Sequence, residues 1–234
     1  MPRREKQPAP AEPHAPAEPL PAAEPPLPAR GPRPASDPLP IAGERRERAD
    51  AARNRERVLR AARELFEERG VERVTMEEIA RRAGVAKGTV FHRFGDRSGL
   101  ALALLDEHER ELQDRLIDGD PPLGPGAPPL ERLLALLDAL LDLLERHGDL
   151  LYTAETSKAE ARYATGAYAA WHRHVAVLLG ELGVAGDPEV LAHVVLAPLG
   201  AELYRHLRRS IGLSAADVRA AVRAVARGVA GAEG

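Results

Sequence analysis

Between Thr75 and Phe94 this chain of 234 residues sets two short apolar stripes on either side of one glycine, and few folds accommodate that. Thr75-Met76-Glu77-Glu78 has the spacing of a capping box, in which a hydroxyl and a carboxylate each satisfy a backbone N–H at a helix start. Ile79, Ala80 and Ala83 give that helix one apolar face. Gly84 stops it, Val85 and Val90 plug the turn, and a second short helix is expected from about Ala86 to Arg93. Helix, tight turn and helix is the geometry that lays one helix across a DNA backbone while the next enters the major groove. The residues left facing outward on the second helix, Lys87, Thr89, Phe91, His92 and Arg93, suit phosphates, base edges and thymine methyl groups.

Charge locates this head within the chain. The net charge of -3 is unpromising for a nucleic-acid binder, but residues 44–100 hold 15 Lys+Arg against 11 Asp+Glu, whereas residues 101–234 hold 13 against 20. A basic part therefore precedes an acidic one. No cysteine is present, so disulfides, thiolate zinc sites and cysteine nucleophiles are excluded, and an intracellular, cytoplasmic setting is expected. The first residues lack the apolar stretch of a signal peptide, and Val190 to Ala201 is too short to span a bilayer, so no membrane is expected as a partner.

The fold class expected is all-α, with an N-terminal three-helix DNA-binding domain and a C-terminal helical bundle. Residues 1–43, rich in Pro, Ala and Glu, cannot repay ordering entropy by burial and read as a disordered tail, a solvated extension in preference to a protein-docking or DNA-contacting arm. Residues 44–112 are assigned to the DNA-binding domain and 113–234 to effector binding and dimerisation. A first helix carrying Val58, Ala62, Leu65 and Phe66 ends at Gly70, and Asp96 caps a helix from Arg97 towards Asp118. Phe66, Val74, Ile79, Val90, Phe94 and Leu100 read as core. Gly119 to Pro129 is a loop, and helices are predicted over Leu130–Arg146, Asp149–Tyr163, Gly166–Leu182, Asp187–Arg209 with a kink at Pro198, and Ser214–Ala230. In the first of these Asp138, Asp142 and Glu145 share a face.

Ile79-Ala80, Ala83-Gly84-Val85, Lys87-Gly88-Thr89 and Phe91-His92-Arg93-Phe94, followed by Asp96-Arg97, resemble the TetR family of transcriptional regulators over about Ala52 to Leu112. Trp171-His-Arg-His, Leu196-Ala-Pro-Leu and Glu202-Leu-Tyr-Arg resemble, in outline, the SbtR-type C-terminal domain. The resemblance implies phosphate contacts from Thr75, Thr89, His92 and Arg97. It also implies base-edge approach by Lys87, Gly88 and Phe91, with Gly88 letting the helix sit close. Ala86 stands where the family commonly has Ser, and Phe91 where it has Tyr. Arg45, Arg46, Arg48, Arg53, Arg55 and Arg57 form either a minor-groove arm or a solvated face.

The resemblance further implies a homodimer on a double-stranded palindromic operator, released by a small-molecule effector. The late helices around Val190–Leu207 and Ser214–Ala230 would form the dimer. Candidate pocket residues are His147, Tyr152, Tyr163, Tyr168, Trp171 and His174, each with an ordinary core or surface role as the alternative. His172 and His174 lie two apart on a helix and make a poor metal pair, so neither a metal nor a cofactor is expected. No nucleophile and base, phosphate loop or ligand run supports an enzyme. An activator or an architectural DNA binder of the same fold remains the alternative to a ligand-responsive repressor.

Overall fold

The computed structural model describes residues 42–231, the side chains from Asp50 onward. The expected N-terminal tail, and the side chains of Arg45, Arg46 and Arg48, lie outside what it describes. Every regular element among the described residues is helical: α1 (Ala42–Arg69), α2 (Met76–Ala83), α3 (Lys87–Phe94), α4 (Arg97–Asp118), α5 (Pro129–Glu155), α6 (Gly166–Leu182), α7 (Pro188–Leu196), α8 (Ala201–Arg205) and α9 (Ala215–Val229). Short 3-10 turns occupy Val71–Arg73 and Ala197–Leu199, and a π turn, His206–Ile211, continues α8.

Local chemistry sets most of these boundaries. Asp96, Thr165 and Ser214 each accept a backbone N–H at the start of their helices, and Gly183 closes α6 in the left-handed conformation. The break expected between Arg146 and Asp149 is present as a kink: His147 leaves the helical conformation (φ -127°, ψ 21°), and the two halves of α5 meet across it with Leu143, Leu144 and Leu151 buried on either side. Two boundaries differ from expectation. Residues 156–165 are turns rather than the end of a helix. Near Pro198 the chain does more than kink, passing through a 3-10 turn and an extended Gly200 before α8 begins.

The leucine-rich α5 is the central helix, packed against α4, α6, α8 and α9. Its acidic face is paired. Arg219 of α9 lies 3.0 Å from Asp138 and 2.6 Å from Asp142, Arg223 also bonds Asp138, and Arg208 donates to Glu145 at 2.9 Å. Two apolar cores result. Val58, Phe66, Val74, Ile79, Val90 and Phe94 form one, and the leucines of α5 with Tyr168, Trp171 and Val222 form the other. Helix α4 serves both, giving Leu100 and Leu104 to the first and Ala101, Leu105, Leu112 and Leu116 to the second.

Candidate DNA interface and ligand pocket

The reading head is assembled by α1, α2 and α3. Thr75 accepts the Glu78 N–H at 3.3 Å, and the Glu78 carboxylate accepts both the Thr75 N–H and its hydroxyl at 2.9 Å, completing the box. Arg69 donates to the same carboxylate at 2.9 Å; Arg69 first, and Thr75 with it, lower the Glu78 pKa to about 2. Arg82 bridges to Glu64 and Glu68 of α1. Its hydrogen bond holds the Glu68 carboxyl below the usual range.

At the turn, Gly84 adopts φ +63°, which glycine accepts without strain. Arg57 of α1 donates one guanidinium nitrogen to the carbonyls of Ala83 and Gly84. A Cβ on Gly84 would lie 2.7 Å from that nitrogen. The arginine series ahead of α2 suggested an arm or a solvated face; for Arg57 the structure shows a clamp on the turn, which only the pairing of α1 with α2 reveals. Arg93 similarly donates to the Ala51 carbonyl of α1.

Helix α3 is held by Val90 and Phe94, both buried, while Lys87, Gly88, Thr89, Phe91 and His92 are exposed together. Lys87 pairs with Glu77 of α2, which lowers the Glu77 pKa, and its ammonium stands 5.4 Å from the Phe91 ring centre. Phe91 leaves 39% of its surface open. A Cβ on Gly88 would meet nothing within 4 Å, whereas one on Gly99 would strike the Phe94 carbonyl oxygen at 2.0 Å. Packing thus requires Gly99 and gives no reason for Gly88. Thr75 spends its hydroxyl proton on Glu78. Arg97 donates to the carbonyls of Val71 at 3.3 Å and Glu72 at 2.9 Å and so braces the 3-10 turn.

The six candidate pocket residues do not converge. Tyr168 and Trp171 line one small cavity with Leu102, Glu109, Glu155 and Arg162. His147 lines a separate open cleft of about 800 Å³ between the two cores, where it stacks on His108 at 4.3 Å. Burial, aided by His108, lowers the His147 pKa to about 4. Tyr152 lies under the Arg205 guanidinium at 4.3 Å, and Tyr163 is 58% exposed, its ring edge-on to Tyr168. His174 has a buried Nε2 without a partner, and burial lowers its pKa. Sequence reasoning missed Glu109, whose pKa is raised to about 7 by burial and by the carboxylates of Asp106 and Glu155. No local pattern marks it.

Residues 58–104 match the family model described as bacterial regulatory proteins, tetR family, a match that ends ahead of the SbtR-type likeness. An uncharacterized HTH-type transcriptional regulator of Mycobacterium tuberculosis is 36% identical over 110 residues, 47% of this chain and 53% of its own length. One from Staphylococcus aureus is 28% identical over 128 residues, covering 52% and 64%. The chain thus spans about half to two thirds of the length of these relatives. Among solved structures, Thermus thermophilus FadR, described as a TetR-family repressor in complex with lauroyl-CoA, superposes with a TM-score of 0.55 at 24% identity, covering 74% of this chain and 92% of that one. SmeT, the repressor of a Stenotrophomonas maltophilia multidrug efflux pump, gives 0.54 at 21%, covering 74% and 88%.

Proposed function

We propose, from the premise that this chain belongs to the TetR family by its DNA-binding domain, that it is a ligand-responsive transcriptional repressor acting as a homodimer on a palindromic operator. The observation that carries the reading is the exposed face of α3. Lys87, Thr89, Phe91 and His92 stand open around a glycine that packing does not need, the arrangement expected where a base-pair edge is the missing neighbour.

One such helix reads only a few base pairs, so operator affinity calls for two copies. Helices α7 and α9 pack together and offer the surface for them. Val190 and Val194 of α7 are 59% and 50% exposed, and on α9 Ala216, Ala220, Ala224 and Gly228 recur every fourth residue on an open face. Small residues there let partner helices approach closely.

Ligand response requires the bundle to bias the reading head. A contiguous route exists. Glu155, at the small cavity, accepts the Ala201 N–H at the start of α8 at 2.8 Å. Arg205 of α8 reaches Glu72 of the 3-10 turn at 2.8 Å, and Arg97 holds that same turn.

The test is to titrate the dimer onto the promoter fragment upstream of its own gene at several salt concentrations. Specific protection with a steep salt slope is expected. In the same assay Arg97→Ala flattens the slope by about 1 per subunit if Arg97 leaves the turn for a phosphate. The absence of any specific shift, with or without cell extract, overturns the reading.

A further inference from the structure

The cavity between α4, α5, α6 and the 156–165 turns contains two polar groups that the protein leaves unmet. Glu109 lines it half-buried, and among the described residues its carboxyl accepts no hydrogen bond and meets no cation. Its acidic neighbours are all engaged: Asp106 by Arg110 and by Arg55 at 4.0 Å, Glu107 by Arg63 at 3.7 Å, and Glu155 by the Ala201 N–H and, at 3.9 Å, by Arg162. Trp171, only 9% exposed, lines the same cavity, and its indole Nε1 has no acceptor. Buried donors are nearly always satisfied, and an indole N–H can only donate.

We propose that this pocket takes the effector, and that the effector is an organic cation carrying a hydrogen-bond acceptor, with Glu109 matching its charge and the Trp171 N–H its acceptor atom. The proposal rests on the ligand-responsive reading. Charge decides the sign. Arg162 and Glu155 offset each other, Asp106 is matched by Arg110, and α6 contributes only Tyr168 and Trp171, so Glu109 is the uncompensated group. An anion would meet an unmatched carboxylate; a neutral ligand would leave one buried beside apolar wall.

Glu109 also provides the way in. It lines an outer recess of about 630 Å³ between α4 and α6, floored by Leu102, Ala103, Ala167 and Ala170. The inner cavity holds about 20 Å³, room for about one water. Entry therefore displaces the turns that carry Arg162 and Glu160, the latter at φ +61°, a conformation unusual for a residue with a side chain. Arg162 donates to the Leu196 carbonyl at 2.8 Å, so moving it disturbs the end of α7 and, through Glu155, the start of α8.

Calorimetry and operator-release titrations on the full-length dimer test this with tetramethylammonium and phenacyltrimethylammonium, each against its neutral tert-butyl analogue. The ketone-bearing cation should bind at least about tenfold more tightly than its analogue, and more tightly as pH rises from 6 to 8 and Glu109 ionises. Glu109→Gln should abolish that preference, and Trp171→Phe should weaken the ketone-bearing cation several-fold while leaving tetramethylammonium unaffected. Operator affinity in the same titration reports whether each variant is folded. Equal binding of cation and analogue, no binding by either cation, or a preference that survives Glu109→Gln overturns the proposal. If neutral or anionic compounds release operator instead, the cation assignment falls and the repressor reading stands; if nothing in cell extract releases it, ligand response itself falls.

Discussion

Arg57 and Gly84 are 27 residues apart in sequence, yet the guanidinium of the first donates to the carbonyl of the second at 2.9 Å and caps the turn of the reading head. Arg57→Ala removes that donor and the bond to Ala83 together. Hydrogen bonds from charged groups contribute about 1.5–3 kcal/mol when sheltered, and exposure of this side chain reduces the expected loss to about 1 kcal/mol. Urea unfolding should show that loss, and operator affinity should fall further than stability alone explains, because α2 and α3 lose their fixed angle.

Gly88 and Gly99 are predicted to respond in opposite ways to alanine. Gly88→Ala should stabilise the free protein by about 0.5–1 kcal/mol, since its Cβ enters open space and helical glycine is costly. It should also weaken operator binding at least several-fold. Gly99→Ala should destabilise, because its Cβ would strike the Phe94 carbonyl. Thermal melts paired with fluorescence anisotropy separate the two effects; tighter or equal DNA binding by Gly88→Ala would remove Gly88 from the interface.

Val194→Arg places a charge at the centre of the proposed α7 and α9 contact. Light scattering should report a monomer with unchanged helicity, and operator binding should weaken by orders of magnitude because the second half-site no longer contributes. A dimer that persists would move the interface elsewhere.

Acid should weaken the fold through His147. Its folded pKa, about 4, lies below the ordinary imidazole value of 6.5, so between those values the unfolded chain takes up a proton that the folded one refuses. Its contribution is complete above pH 6.5 and lost as pH falls towards 4. His147→Phe should flatten that part of the stability profile while keeping the ring stacked on His108.

Arg205 and Glu72 form an exposed ion pair between bundle and head, and such pairs contribute up to about 1 kcal/mol to stability. A double-mutant cycle should therefore find little coupling in unfolding. In effector-dependent operator release the coupling should be larger, with Arg205→Ala and Glu72→Ala each blunting the response; equal coupling in both assays would argue against this route.

Local signals carried most of the fold. The capping box at Thr75, the turn at Gly84, the cap at Asp96 and the bounds of α4 and α6 all lie where nearest-neighbour chemistry places them. Sequence reading failed where long-range packing overrode a local cue. The end of the helix predicted to Tyr163 gave way to turns tied down by Arg162, although the kink at His147 falls where a break was expected. The exposed face of α3 was legible because helical spacing displays it. Arg57, Glu109 and Arg205 were not, since each is defined by what lies across from it in space, in the case of Arg205 a partner 133 residues away.

Helix α4, shared by both cores, fixes their phase. Leu100 and Leu104 point into one, and Ala101, Leu105, Leu112 and Leu116 into the other, on a single rigid rod. Adding one residue between Leu105 and Leu112 would rotate the head against the bundle by about 100° and shift it by about 1.5 Å. The first core can therefore be exchanged between relatives as a cassette only when the splice keeps the α4 residue count, since the angle between the two cores is written into the length of that helix.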